Sequence, residues 1–456
     1  MTATCSRRQA LQLIGAGALI ASGVGRPGST AAVAQTTSAP ATPVIFMDGH
    51  VHVTNRIYWE KIDPWQPTER GWDYARARAA GVNCIIENIG TYGYWNYNYS
   101  PKQTLRLIET FHRFAETHAD KMGVARSVPE ARSIVASDRM AVFLGIESGF
   151  DHEGDPDVLA AFYRLGLRSI QFATQSGFNA FADSALAPTQ GGQKPDHYNG
   201  INERGRELVK RMNELGVLID ITHGTEAVHL QLIEASRAPV VASHDVIRAV
   251  SGVGLSDAVL KALAAKGGLV GIHGGAAVVG KRYRKWLTEN PDAAANAAKA
   301  VTAMVGFAPS LPRPAGDRGD YIVKMDAEFA ERWKALDAWR EDPAAAGVLP
   351  SEDEWAEQVD YVIKTVGADH VGLGLDLGPA AAPCRRRRRA IPLCWRPCAG
   401  SPPRRTCARS PVRIGCVSWR RRRWAEPDRR SAGACAEPRS CFPRYAAERN
   451  VWPGGT

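Results

Sequence analysis

The chain has 456 residues, 45% hydrophobic and 8% aromatic, enough to bury a sizeable core in one large domain or two. Its formal net charge is +10, but Cys384–Thr456 alone holds 19 Arg, no Lys and 4 acidic residues, so the body is mildly acidic and the charge does not mark it as a polyanion binder. Of the 9 Cys only Cys5 and Cys84 precede that tail, which excludes a disulfide framework in the body.

The first residues read as a targeting segment. Ser6-Arg7-Arg8 is followed by the apolar run LQLIGAGALIASGVG and then by Ala32-Val33-Ala34. A basic start, a short apolar core and an A-x-A site describe a signal peptide, and the run is too short for a comfortable membrane span. The paired arginines point to the twin-arginine route, which exports folded proteins; an ordinary secretory signal is the alternative. The expected organisation is a signal at 1–34, a mature globular body at 35–377 and a tail at 378–456. The mature protein would be periplasmic or secreted, with no membrane span after signal removal.

Eight short apolar segments follow, beginning at Val44, Val82, Met140, Leu167, Val217, Pro239, Gly267 and His370. Continuous apolar runs of this length suit strands buried on both faces. Amphipathic stretches of helical length separate most of them. PKQTLRLIETFHRFAETHADK and NERGRELVKRMNELG carry apolar residues three and four apart, and SDAVLKALAAKGG adds a Ser start and a Gly stop. Strand and helix alternating eight times predicts an α/β fold of the (β/α)8 TIM-barrel type. A long insertion, roughly Ala276 to Asp353, separates the seventh and eighth strands and reads either as part of the active-site mouth or as a peripheral decoration.

Past Leu377 the text becomes CRRRRRAIPLCWRPCAGSPPRRTCARS, without helical or strand period. Arg without any Lys, together with Pro, Cys and Trp, is what a GC-rich coding region yields when read out of frame. The expectation is a shifted frame shortly after Asp376, leaving the eighth strand without its covering helix. An arginine-rich nucleic-acid-binding tail is the rival reading, and salt-dependent polyanion binding would be its signature.

In a TIM barrel the chemistry sits at the C-terminal ends of the strands. His50 and His52 end the first strand, Glu147 the third, His223 the fifth, His244 the sixth and Asp376 the eighth. Spacing of two puts His50 and His52 on one side of a strand, so both can reach one metal. Imidazole and carboxylate are common zinc ligands, and Glu147 can bridge two ions that would generate a hydroxide nucleophile at neutral pH. Taken singly, each has a structural alternative: a hydrogen-bonded His, a salt-bridged Glu, a capping Asp. His273, ending the seventh strand, is a spare candidate, while His152, His197 and His229 read as surface residues.

These stretches resemble the membrane (renal) dipeptidase family, peptidase family M19 of the amidohydrolase superfamily, over roughly Val44 to Leu377. GIESG around Glu147, GINERGRELVKRMNELGVLIDITH, APVVASHDVIRAVS and VDYVIKTVGADHVGLGLD carry the resemblance. It implies two zinc ions, one on His50 and His52, the other on His223 and His244, with Glu147 bridging and Asp376 shuttling a proton to the leaving amine. It implies hydrolysis of a small, dipeptide-like substrate and no nucleic-acid partner, and it leaves a homodimer open, since dimers are common among relatives. Three departures stand out. The first motif is His50-x-His52 where the family has His-x-Asp. Gln175 stands where the family has a substrate-binding His. GVGLSD lacks the family's substrate-gripping arginine, and Arg248 is the nearest substitute. His-x-His and the altered substrate positions leave open another amidohydrolase activity, such as a lactonase, and the tail leaves open an inactive relative.

Overall fold

The computed structural model describes residues 44–68, 71–90, 99–147, 154–173, 180–185, 196–296 and 347–377, with 323, 327, 330 and 331 between the last two. The expected signal, the tail and most of the insertion lie outside them.

Nine strands are described: β1 (Met47–Val51), β2 (Cys84–Gly90), β3 (Met122–Val124), β4 (Met140–Glu147), β5 (Leu167–Gln171), β6 (Leu218–Asp220), β7 (Val241–Asp245), β8 (Leu269–Ile272) and β9 (Val371–Leu373). Their order is β2-β1-β9-β8-β7-β6-β5-β4-β3, and an added β2–β4 pairing closes eight of them into a parallel barrel. This is the predicted (β/α)8 barrel. The eight apolar segments are its eight staves; β3 is an extra strand outside the ring, paired only with β4. Its three residues, MGV, follow a long helix so closely that no separate apolar run marks them. The β2–β4 seam is the longest in register, from Cys84 opposite Ala141 to Gly90 opposite Glu147. Both strands are almost wholly buried, including the polar Glu87 and Asn88 of β2.

The outer layer comprises α1 (Thr54–Glu60), α2 (Tyr99–Thr117), α3 (Val128–Ala136), α4 (Pro156–Arg164), α5 (Glu203–Leu215), α6 (Glu226–Ala235), α7 (Asp257–Ala265), α8 (Lys281–Glu289) and α9 (Glu352–Val366), along with shorter turns. Side chains that satisfy the first free N–H groups set most of the starts. Ser127 caps α3, Asp155 α4, Asn202 α5, Thr225 α6 and Ser256 α7. Ser351 and Glu354 close a reciprocal capping box on α9. The first residue of α9 lies one position from the predicted end of the insertion. Gln358 ties α9 to the barrel, its amide donating to the Ser251 hydroxyl and its carbonyl accepting from the Ile247 N–H.

Two findings depart from the sequence reading or sharpen it. His229 is buried rather than on the surface, because it shares the inner face of α6 with Val228, Leu232 and Ile233. His197 is exposed as expected, and His152 lies outside the described residues. Inside the barrel, glycine sets the stave spacing: a Cβ on Gly271 of β8 would stand 2.1 Å from the Ser243 carbonyl oxygen of β7.

Both features are testable. Burial pushes the His229 pKa down to about 4, against 6.5 unfolded. Between those values the unfolded chain binds a proton that the fold refuses, so stability falls as pH drops, by ~3 kcal/mol in total. Urea midpoints measured from pH 7 to pH 4 should fall less steeply in His229→Gln. Gly271→Ala should destabilise the fold by about 1–3 kcal/mol through forced displacement of β7, read by denaturant titration.

Candidate metal centre

Five of the eight staves deliver a chemical group at the same rim. His50 lies in β1, with His52 just beyond it; Glu147 is the last residue of β4; His244 lies in β7; His223 and Asp376 follow β6 and β9 by three residues each. His223 and Asp376 have φ of 66° and 44°, the left-handed region that costs a non-glycine residue on the order of 1–3 kcal/mol. Both strand ends are therefore held in strained turns that aim side chains inward.

The cluster is organised around the two oxygens of Glu147. His50 Nε2 lies 3.1 Å from Oε2, and His52 Nε2 contacts the same oxygen. His223 Nε2 lies 3.0 Å and His244 Nε2 3.9 Å from Oε1. Within each pair the ring nitrogens face one another, 2.8 Å apart for His50 and His52 and 3.2 Å for His223 and His244. Asp376 closes the open side. Its carboxylate reaches His52 at 3.6 Å, His50 and His244 at 4.0 Å, and His273 at 3.2 Å. Its side chain is 22% exposed, against 0% for His50, so it faces the approach from solvent. His50, Glu147 and His244 form one group whose ligand atoms lie within 4.8 Å of each other; His50, His52 and Asp376 form another. Imidazole nitrogens and carboxylate oxygens converging in this way are a donor set that zinc and related ions accept.

The spare candidate His273 belongs to the site in a different capacity. Its Nδ1 accepts the Gly275 N–H at 2.8 Å, which leaves the ring proton on Nε2, facing Asp376. His273 thus donates to Asp376 and orients it. Arg248 instead donates to Glu226 at 2.8 Å and to the Gly254 carbonyl at 3.1 Å. Gln175 lies outside the described residues.

Electrostatics in the metal-free protein follow from burying acids and bases together. Burial opposes charge on Glu147, but attraction to His52 and hydrogen bonds with His223, His50 and His52 hold it well below the usual carboxylate range. Burial also disfavours charge on His52, yet Glu147 outweighs it and pushes the pKa up to about 9. His223 rises for the same reason. His244 falls well below the ordinary value through burial and the neighbouring His50. Asp376 is held far below the usual range, its burial overcome by the hydrogen bond from His273 and by the surrounding imidazoles. Protons thus supply the positive charge that cations would bring.

A supporting shell was not singled out from the sequence. Asp48 is buried beneath His50 and accepts from the backbone N–H groups of His50 (3.3 Å) and Leu375 (3.1 Å) and from the Trp72 indole (3.1 Å). Burial pushes its carboxyl up to about 6. The signal for it was present: Asp48-x-His50-x-His52 continues the same period of two. His52 Nδ1 donates to the Asn88 carbonyl at 2.5 Å. Glu87 accepts from Val53 N–H, Thr54 N–H and the Thr54 hydroxyl at 2.7–2.8 Å, capping α1 directly after His52. Asp220 and Ser243 lie behind His50 and His244.

The sequence profile of the membrane dipeptidases, peptidase family M19, matches residues 36–384. Dipeptidase verJ of Clonostachys rogersoniana is 32% identical over 145 residues, 32% of this chain and 36% of that protein. Dipeptidase 3 of Macaca fascicularis is 30% identical over 145 residues, 31% and 29% of the two chains. The alignments thus span about a third of the curated relatives they match. Among solved structures, the probable dipeptidase PvdM from Pseudomonas aeruginosa superposes with a TM-score of 0.55 at 19% identity, over 75% of this chain and 85% of that one. A metallo peptidase from Rhodobacter sphaeroides, liganded with a phosphinate mimic of the dipeptide L-Ala-D-Ala, gives 0.53 at 18% identity, over 75% and 88%. At these identities the superpositions speak for the fold, and it is the profile, spanning most of the chain, that places this protein in the membrane dipeptidase family, peptidase family M19.

Proposed function

We propose that this chain is a binuclear zinc hydrolase that cleaves a dipeptide or a related small amide. The observation that supports it best is the division of Glu147: His50 and His52 gather at one carboxylate oxygen, His223 and His244 at the other. A buried carboxylate with a pair of imidazoles at each oxygen is the donor arrangement of a bridging ligand. His50 and His52 would hold one ion, His223 and His244 the second. Two such ions would activate water at neutral pH and polarise the scissile carbonyl.

The protein's own groups supply the rest. Asp376, kept ionised among imidazoles, is the base placed to take a proton from the attacking water and hand it to the departing amine. His273 holds that carboxylate in position. His50 and His244 are fully buried, while His223, His273 and Asp376 are partly exposed and mark the side from which substrate and water would enter. For the substrate, Gln175 and Arg248 remain the candidates. Arg248 already pairs with Glu226 and the Gly254 carbonyl, which weakens it as a carboxylate clamp and favours a substrate with a weakly held or missing free carboxylate. That observation supports, as a second reading, an amidohydrolase acting on another small ring or amide, such as a lactone.

The same proposal assigns 1–34 to an export signal of the twin-arginine type, 35–377 to the catalytic barrel and 378–456 to an Arg/Pro/Cys-rich tail read from a shifted frame, with a periplasmic or secreted product. No described helix is long and apolar enough to cross a membrane.

Elemental analysis of the folded, monodisperse protein should give about two zinc per chain, and Glu147→Ala should lose both. Folded protein that binds no zinc after reconstitution would sink the hydrolase reading. A panel of dipeptides, including D-residues at the second position, set beside simple lactones decides between the substrate classes. Because binding must expel the proton from His52, apparent zinc affinity should fall about tenfold for each pH unit below about 9, measured against a competing chelator. Asp376→Asn should leave zinc content near wild type and lower kcat by about 10²–10⁴-fold, and an unchanged kcat would remove Asp376 from proton transfer.

A further inference from the structure

Behind the cluster, one hydroxyl serves both halves of it. Ser243 Oγ lies 2.8 Å from His50 Nδ1 and 2.8 Å from His244 Nδ1, and donates its proton to Asp220 Oδ2. His50 belongs to the half at Glu147 Oε2, His244 to the half at Oε1, and their rings lie side by side with centroids 3.7 Å apart. Ser243 and Asp220 are both buried.

The directions of these bonds follow from counting. The other Asp220 oxygen accepts from the Thr222 N–H (3.1 Å), the Thr222 hydroxyl (2.9 Å) and the Ser243 N–H (3.0 Å). Asp220 is therefore an acceptor on every side, and the Ser243 proton has one place to go. A hydroxyl whose proton is committed keeps two lone pairs, so it can only accept from the imidazoles. Both rings must then carry hydrogen on Nδ1, so that Nε2, the nitrogen on the Glu147 side, is the position a metal ion would take on each. The Asn88 amide nitrogen, a donor, also lies 3.0 Å from His50 Nδ1 and touches that ring alone, so an Nδ1–H on His50 requires the Asn88 amide to present its oxygen there instead.

We infer that Ser243 is the shared positioning residue of the two half-sites, with Asp220 setting its polarity, so that one buried hydroxyl selects the ligand tautomer of His50 and His244 together. The inference rests on the binuclear reading proposed above. Its consequence is that the two metal positions are coupled from behind, independently of the Glu147 bridge in front.

The test reads tautomers and zinc rather than turnover. Two-bond ¹⁵N–¹H spectra of histidine-labelled, metal-free protein should show Nδ1–H on both His50 and His244. In Ser243→Ala both patterns should become mixtures, while His52, which donates to the Asn88 carbonyl, keeps its own. Both zinc equilibria, titrated against a chelator, should weaken about 10–100-fold. Asp220→Asn is the near-isosteric second variant. Its amide can donate to the Ser243 oxygen, freeing the hydroxyl proton to face one imidazole, so one ring should flip and one zinc equilibrium weaken. Unchanged tautomers in both variants, or a change in Ser243→Ala confined to His244, would overturn the shared role and leave His50 to Asn88. Wild-type protein that shows both Nδ1–H tautomers but binds no zinc would support the hydrogen-bond assignment while removing the binuclear reading. Two zinc equilibria as tight in Ser243→Ala as in wild type would remove the coupling and spare that reading.

Discussion

A carboxylate buried at the end of a barrel strand, with four imidazoles around it, is the constraint that the rest of the rim answers. Taking Glu147 out of water costs several kcal/mol unless positive charge and hydrogen bonds replace the lost solvation. Without a cation, attraction to His52 and hydrogen bonds with His223, His50 and His52 provide that replacement; a bound cation would provide it instead. The supporting shell keeps the rings in place for either occupant: Asn88 holds His52, Ser243 and Asp220 hold His50 and His244, and Glu87 caps the helix that carries the chain away from His52. The strained turns at His223 and Asp376 persist because both ends are pinned. The N–H of Asp376 donates to the His50 carbonyl, and the N–H of Ala185 to that of His223.

The His50-x-His52 motif changes the charge of this arrangement. With an aspartate at the second position, as the family resemblance would have it, the half-site at Glu147 Oε2 would carry one more negative charge. Here the position is neutral when a cation is bound and protonated when none is. On the proposed binuclear reading, fewer anionic ligands would leave more net positive charge on the two ions, which would lower the pKa of a shared water while weakening electrostatic retention of the metals. Such a trade would favour a less basic nucleophile in a site that empties more readily as pH falls.

Much of this was legible in the residues, and what was not has physical reasons. The eight staves were readable because strands buried on both faces need unbroken apolar runs, and the rim residues because a parallel barrel places strand ends on one side. Strand β3 escaped because three residues after a helix carry no period. His229 was misjudged because a lone polar residue on an amphipathic helix looks solvated unless the arc of its apolar neighbours is counted. Asp220 and Ser243 were invisible as partners because hydrogen bonds between residues 23 apart depend on which strands are neighbours, and spacing along the chain does not reveal that. His273 could be placed at the rim, but only the Gly275 N–H shows which nitrogen bears the hydrogen.

The link between Asp48 and Leu375 bridges 327 positions of chain. Together with the single β1–β9 register pair, Asp48 opposite Leu373, it joins the first stave made during synthesis to the last. Until β9 emerges, β1 has an open edge, and Asp48, buried in the finished protein, has no Leu375 N–H to accept. Contacts of such long sequence separation slow folding, because loop closure precedes any reward. A growing chain would thus spend most of its synthesis as a sheet waiting to be closed, its four-histidine pocket assembled without Asp376. The seam between β1 and β9 is the step on which closure of the barrel waits.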